Sequence, residues 1–322
     1  MYTQSFKSVL FIVLLLLILV LVNVQARADS LASQPQVQDF IKTMVNEHDF
    51  EQAQLEKLFN QVEIKQSILN AISRPAERTK PWYEYRQIFL TDKRIKQGVK
   101  FWQSNKDIID YAASVYGVAP EIIVAIIGVE TFYGQRQGTY RVMDALSTLA
   151  FNYPKRSKFF TGELKHYLIM SKEQDFDPLS KKGSYAGAMG MGQFIPSSFQ
   201  SYAVDFNGDG TKNIWTNHAD AIGSVANYFK RHGWKKGEPV TSRANVKKGT
   251  VIEDKEGCKR SCKPEKTLSV FSQQGISPEI SAAASTPANL LIFEQQDGKE
   301  YWLGYNNFYV ISRYNHSSMY SM

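Results

Sequence analysis

At 322 residues, with 43% apolar, 13% aromatic and 21% charged side chains, the chain can bury a sizeable core, which excludes a wholly disordered protein. Two cysteines exclude a disulfide-stapled miniprotein and a Cys-rich zinc module, and 11 prolines with 20 glycines exclude a collagen-like or low-complexity chain. A formal charge of +7 suits an acidic polymer or an anionic surface as partner without choosing between them.

Val9 to Val22 is an unbroken apolar run, preceded by Lys7 and followed by Ala26-Arg27-Ala28, a small-x-small cleavage pattern. Residues 1–28 therefore read as a signal peptide, with an uncleaved inner-membrane anchor as the alternative, although the run is shorter than the ~20 residues needed to span a hydrocarbon core. Either way the body is expected to be exported, to the periplasm. The first cysteine is Cys258, so no lipid-bearing cysteine follows the run.

From Gln36 to about Ser73 apolar residues recur at helical spacing and predict two amphipathic helices, broken at Arg74-Pro75. A helix is predicted from about Asp92 to Tyr116, with Gly117 as its C-terminal cap, and another opens at Pro120-Glu121. The second is apolar nearly all round, hence buried. Helical patterns continue through Asp144 to Leu149, Ser157 to Met170 and Ala219 to His232. The stretch from Gly183 to Gly192 is too glycine-rich for a stable helix. Composition shifts near Gly237, and β-compatible runs at 238–242, 250–253, 290–294, 301–303 and 308–311 predict a small α+β domain.

Three constellations carry chemistry. Glu130 ends the apolar helix, where loss of solvation would raise its pKa into the range of a general acid, and Gly128 and Gly134 leave room beside it for a ligand. The alternative is a helix-end glutamate in solvent. The Gly-rich segment through Gly192-Gln193-Phe194 has no phosphate-loop or Rossmann pattern, and reads either as close helix packing or as a backbone wall for a flat sugar, with Ser184 and Gln193 as hydrogen-bond partners. Asp205-Phe206-Asn207-Gly208-Asp209-Gly210-Thr211 matches the start of an EF-hand calcium loop. It departs at position twelve, Thr216, and Asp220 could close a longer site; a plain polar turn is the alternative. His-Glu-x-x-His and Gly-x-Ser-x-Gly are absent. Cys258 and Cys262 lie in a basic loop with no nearby histidine, which in an exported chain favours a local disulfide over zinc.

These motifs, in this order, resemble the membrane-bound lytic murein transglycosylase B family, exported lysozyme-like enzymes that cut bacterial peptidoglycan. The resemblance is carried by Gly128-Val129-Glu130-Thr131, Asp144-Ala145-Leu146, Phe151-Asn152-Tyr153-Pro154, Gly183 to Gly190 with Gly192-Gln193-Phe194, Asp205 to Trp215, Asp220 to Phe229 and Arg313-Tyr314-Asn315-His316. It implies a mainly α (α+β) protein: a signal peptide at 1–28, a helical domain at 29–118, a lysozyme-like catalytic core with the EF-hand-like loop at 119–236, a small α+β domain at 237–312 and a segment at 313–322 returning toward the cleft.

The resemblance also implies that Glu130 is the single acid/base and that Tyr85, Ser184, Gln193, Tyr228, Asn315 and Tyr320 bind the glycan. Asp205, Asn207, Asp209, Thr211 and Asp220 would hold a structural calcium ion, in a loop one residue longer than the family pattern, and no organic cofactor is implied. Lys155 and Arg156 are the basic pair that would meet stem-peptide or lactyl carboxylates, or else form a solvated surface pair. The implied activity is cleavage of the β-1,4 bond between N-acetylmuramic acid (MurNAc) and N-acetylglucosamine (GlcNAc) with 1,6-anhydromuramic ends. The alternative is a non-catalytic peptidoglycan-binding or scaffolding module. The partners implied are peptidoglycan glycan strands and, as candidates, other cell-wall enzymes. Nucleic acid is not among them, and membrane association requires an uncleaved signal segment.

Overall fold

The computed structural model describes residues 30–73 and 80–322; the expected signal segment and the break at Arg74-Pro75 lie outside the described residues. The described chain divides into two compact units, the first from 30–73 and 139–187, the second from 80–138 and 188–322. The boundaries implied by the resemblance, at 118 and 236, divide the chain by sequence order alone.

Helix α1 (Pro35–His48) turns Val37, Phe40, Ile41 and Met44 inward, the i, i+3, i+4, i+7 stripe of a half-buried helix, and Asp49 ends it at φ 56°. Helix α2 (Gln52–Phe59) buries Leu55 and Phe59, and α3 (Gln66–Ser73) follows. Three helices thus stand where the periodicity predicts two. The connector between α2 and α3 explains this: the Glu63 N–H donates to Asp144 Oδ1 (3.0 Å) and the Lys65 N–H to Thr148 Oγ1 (3.0 Å). Those side chains accept from N–H groups that helical hydrogen bonds would otherwise claim.

The second unit begins with α4 (Trp82–Phe89), α5 (Asp92–Ser104), α6 (Lys106–Tyr116) and α7 (Pro120–Thr131). The single helix predicted over 92–116 is two, because Asn105 leaves helical geometry and its side-chain amide donates to the Phe101 carbonyl (2.8 Å). Gly117, at φ 71°, ends α6 as expected.

The chain then returns to the first unit for the short strand β1 (Tyr140–Arg141), α8 (Val142–Asn152), α9 (Ser157–Glu173) and β2 (Lys182–Gly183), which pairs antiparallel with β1. Phe151 of α8 meets Phe40 and Phe59 edge-on, at ring-centroid distances of 6.1 and 6.0 Å. That aromatic triad joins segments far apart in sequence into one core.

The second unit resumes with α10 (Pro196–Tyr202) and α11 (His218–Arg231), whose N-terminus Asn217 caps by accepting from the Ala219 and Asp220 N–H groups. A five-stranded antiparallel sheet follows, built from β3 (Thr241–Val246), β4 (Lys266–Thr267), β5 (Ile276–Pro278), β6 (Pro287–Gln295) and β7 (Gly298–Gly304) in the order β4-β6-β7-β3-β5, with α12 (Leu268–Gln273) inserted. The run at 250–253 forms no strand, and 308–311 lies in a helix, α13 (Asn306–Tyr314). A short run rich in aromatic and β-branched residues fits either period, and here Asn307 decides: its amide donates to the Lys235 and Glu238 carbonyls (2.8 Å each), anchoring the helix start. A last helical turn, α14 (Ser318–Ser321), closes the chain. Trp82 of α4, Leu291 and Phe293 of β6 and Phe308 of α13 form one buried cluster.

Candidate active site

Helix α7 buries Ile123, Val124, Ile126 and Ile127, so its last turn is fixed by the core rather than by solvent. Its C-terminal end is wound tightly: Phe132, Tyr133 and Gly134 all have positive φ (52°, 61° and 83°), and two of these are not glycine. Left-handed non-glycine residues cost about 1–2 kcal/mol each and persist only where surrounding contacts impose them. Those contacts are visible. The Thr131 hydroxyl donates to the Met191 carbonyl (2.8 Å) and accepts from the Gly134 N–H (2.9 Å). The Arg94 guanidinium donates to the Gly128 carbonyl (2.6 Å) and lies over the Phe132 ring (5.1 Å). Gly128 does not leave space for a ligand, as its sequence position suggests, because a Cβ there would stand 2.6 Å from the Tyr133 ring. The glycine admits that ring instead, whereas at Gly134 a Cβ would meet only the Met191 side chain, at 3.3 Å.

Glu130 emerges from this turn half-buried, and its Oε1 accepts a hydrogen bond from the Tyr320 hydroxyl (2.5 Å). Burial pushes its carboxyl above the ordinary glutamate value, while the Tyr320 bond pulls it down less strongly. Three tyrosines surround the charge: burial and the Glu130 carboxylate together raise the phenol pKa values of Tyr85, Tyr314 and Tyr320. Tyr85 and Tyr320 also line an apolar cavity of about 240 Å³ with Trp82, Phe89, Ile126 and Val129. An acid whose proton is held more tightly than that of an ordinary glutamate, beside an apolar wall and phenolic hydrogen-bond donors, can protonate a glycosidic oxygen.

Within the second unit, the end of the Gly-rich segment from Gly190 to Gln193 joins the end of α7 through its backbone, at the Met191 carbonyl. Gly190 (φ 68°) is required where it stands, since a Cβ would lie 2.7 Å from the Ile214 carbonyl oxygen. Gln193 is itself left-handed (φ 52°), with its side-chain amide donating to the Gly190 carbonyl (3.0 Å). The Tyr314 hydroxyl donates to the Gly192 carbonyl (2.5 Å), which ties the end of α13 to the segment. Tyr228 is buried in an aromatic cluster, stacked on His232 at 3.9 Å, and its hydroxyl already donates to the Arg313 carbonyl (2.7 Å). Asn315 is exposed just beyond α13. Sequence reasoning passed over Tyr314 and Gln137. The Gln137 amide donates to the Trp215 carbonyl (2.9 Å), fixing the chain beyond α7; Tyr314 sits in the quoted motif, whereas nothing near Gln137 marks it out.

Three expected residues belong to the first unit. Ser184 follows β2, and its hydroxyl oxygen accepts from the Ala186 N–H (3.3 Å). Lys155 and Arg156 form a short exposed turn between α8 and α9, with the Arg156 guanidinium 4.2 Å above the Phe159 ring. In the same unit Asp144 pairs with Arg141 (2.7 Å) and Asp177 accepts from the Leu179 N–H, so both carboxylates have structural partners.

The loop from Asp205 to Asp220 is tied by its own acids. Asp205 accepts from the Gly208, Asp209 and Gly210 N–H groups (2.8, 3.1 and 2.7 Å), and Asp209 from both the N–H and the hydroxyl of Thr211. Asp220, fully buried, spans the loop beneath by accepting from the Phe206 and Asn213 N–H groups (2.8 Å each). Burial, and more weakly the nearby Asp205 charge, raises the Asp220 pKa, while the backbone N–H groups it accepts from pull it down. Among the described residues no three His, Cys, Asp or Glu side chains gather as a metal-binding group. The oxygens present are mixed, from carboxylate, amide, hydroxyl and main chain, and that chemistry fits calcium rather than a transition metal.

The chain matches the family model described as a transglycosylase SLT domain over residues 32–322. It is 44% identical over 309 residues to the membrane-bound lytic murein transglycosylase B of Escherichia coli K12, covering 93% of this chain and 83% of that protein. The solved structure of the lytic transglycosylase SltB1 from Pseudomonas aeruginosa superposes with a TM-score of 0.86 at 50% identity, covering 90% of this chain and 94% of that one. The Escherichia coli lytic transglycosylase Slt35 in complex with calcium gives 0.83 at 42% identity, with 92% and 93% covered.

Proposed function

Because the chain belongs to the lytic murein transglycosylases, a family of peptidoglycan-cleaving enzymes, we propose that Glu130 is its single acid/base. Glu130 donates its proton to the oxygen of the bond between MurNAc and GlcNAc as that bond breaks. The N-acetyl carbonyl of the muramic acid steadies the electron-poor anomeric carbon. Glu130, now a carboxylate, then removes the proton of the same sugar's 6-hydroxyl, whose oxygen closes onto that carbon. The proton is returned, no water is consumed, and the product ends in 1,6-anhydromuramic acid. Ordinary glycosidases need a second carboxylate as nucleophile or base; here the substrate supplies that group.

The observation that carries this reading is the setting of Glu130, half-buried, with a raised pKa and a tyrosine hydroxyl as hydrogen-bond partner. Tyr85 and Gln193 contact the glycan beside it. Ser184, Asn315, Lys155 and Arg156 are further contacts to peptidoglycan, the two basic residues to its carboxylates, whereas Tyr228 acts from behind by holding the Arg313 carbonyl. Calcium would be held by Asp205, Asn207, Asp209 and Thr211, with Asp220 as the brace beneath them, and would supply loop stability rather than chemistry. The enzyme works in the periplasm, reached through the segment at 1–28. No single described helix is long and apolar enough to cross a membrane. Clearing of purified sacculi by the wild type, and binding without clearing by Glu130→Gln, would support the assignment; clearing by both would refute it.

A further inference from the structure

Tyr320 lies on α14, a turn of four residues that is far too short to be stable by itself. Something must hold it against α7. Its own Ser317 caps it, accepting from the Tyr320 N–H (3.3 Å), but that contact is internal to the turn. One external hold, besides the packing of Met319 and Met322, comes from the loop that the Cys258–Cys262 disulfide closes. Within that loop the Lys259 carbonyl accepts from the Ser318 N–H (3.2 Å), and the Ser261 hydroxyl shares a hydrogen bond with Ser312 of α13 (2.8 Å). The two cysteines are themselves fixed to β6: the Cys258 N–H donates to the Leu290 carbonyl (2.8 Å) and the Cys262 carbonyl accepts from the Asn289 amide (2.6 Å). Cys258 also packs on the cluster of Trp82, Leu291, Phe293 and Phe308, against which Met319 and Met322, on either side of Tyr320, are seated.

We propose that the Cys258–Cys262 loop is a redox-sensitive clamp on the C-terminal turn, positioning Tyr320 on Glu130, and that opening the disulfide lowers glycan cleavage. The claim rests on the reading of Glu130 as the acid. A ring of this size removes little chain entropy from the unfolded state, so its effect is on local geometry more than on global stability. Both cysteines are partly exposed, so a reductant in solution can reach the bond. The reductant is a dithiol: its thiolate attacks one sulfur, the Cys258–Cys262 bond breaks, the reductant closes its own disulfide, and two electrons and two protons end on the cysteines. The Lys259 carbonyl is then free to leave Ser318, and Tyr320 loses its fixed place.

The test compares the oxidised enzyme, the same enzyme treated with dithiothreitol and then reoxidised, and the Cys258→Ser/Cys262→Ser variant, on sacculi across pH. Opening the ring should cut kcat by about tenfold, within the ~10²-fold that a 1 Å misplacement costs. It should also move the alkaline limb of kcat/KM upward, because a Glu130 without its Tyr320 bond holds its proton to higher pH among Tyr85, Tyr314 and the apolar wall. Reoxidation should restore both. Tyr320→Phe should reproduce the limb shift, and adding the serine pair to it should shift the limb no further. Hydrogen exchange of the Ser318 to Tyr320 amides, faster once the ring opens, reads the clamp without reference to activity. An unchanged limb and unchanged exchange on reduction, or a second equal shift in the Tyr320→Phe background, would overturn the proposal. An active Glu130→Gln enzyme would sink the acid assignment alone, and the exchange experiment would still decide the clamp.

Discussion

Glu130 is subject to two opposed influences, burial that favours its proton and the Tyr320 hydroxyl that favours its charge, and burial is the larger. In the proposed mechanism the acid acts when protonated, so kcat/KM should fall as pH rises through its elevated pKa. Glu130→Gln keeps the shape and removes the proton, so activity should drop at least ~100-fold while the thermal midpoint stays within a degree or two of the wild type; a rate within threefold of wild type would remove Glu130 from the mechanism. Thr131 is a different case. Its hydroxyl meets both the Met191 carbonyl and the Gly134 N–H, so Thr131→Val strands buried backbone groups and should cost about 1–3 kcal/mol in urea unfolding. A loss under 0.5 kcal/mol would show that this bond does not hold the turn. At this scale the sequence was readable where chemistry is local: a lone acid ending an apolar helix already stands out. It was unreadable where partners are remote. Tyr320 is 190 residues from Glu130, and only the family resemblance, not any spacing, pointed to it.

Elements carry the next set of consequences. The Gly-rich segment is shaped by left-handed backbone, and at Gly190 a side chain would collide with the Ile214 carbonyl. Gly190→Ala should therefore destabilise by more than about 2 kcal/mol, combining the left-handed penalty with the clash; an unchanged urea midpoint would contradict the geometry. The Asp205 loop makes a separate prediction. A cation that binds only the folded state adds about 2.7 kcal/mol at 100 times its Kd. Calcium should raise the thermal midpoint over that in chelator, Asp205→Ala should abolish the difference, and coincident melts for the wild type would rule the site out. Helix positions were largely evident from periodicity, since α7 and α11 lie within a residue or two of expectation. The two extra breaks, at Asn105 and before α3, arise from side chains hydrogen-bonding to backbone groups, which a count of apolar spacings cannot register. The strand expected at 308–311 failed for the same kind of reason, being decided by Asn307 and its carbonyl partners 69 and 72 residues away.

For the whole molecule, the least legible feature was the path of the chain, which leaves the first unit after 73, returns at 139 and leaves again at 187. No composition shift marks those crossings. They follow from contacts such as Asp144 on the Glu63 N–H, 81 residues apart, and from the aromatic triad of Phe40, Phe59 and Phe151. The β-rich character beyond Gly237 was legible, because alternating strands and turn residues are local signals. The proposed mechanism draws on these parts at once, through Glu130 on α7, the end of the Gly-rich segment and Tyr320 on the last turn. The central claim is that one carboxylate and the substrate's own groups suffice, and mass spectrometry of the fragments released from purified peptidoglycan tests it most directly. The account predicts muropeptides ending in 1,6-anhydromuramic acid, lighter by one water than the hydrolysis product. Reducing-end muramic acid as the main product would contradict it.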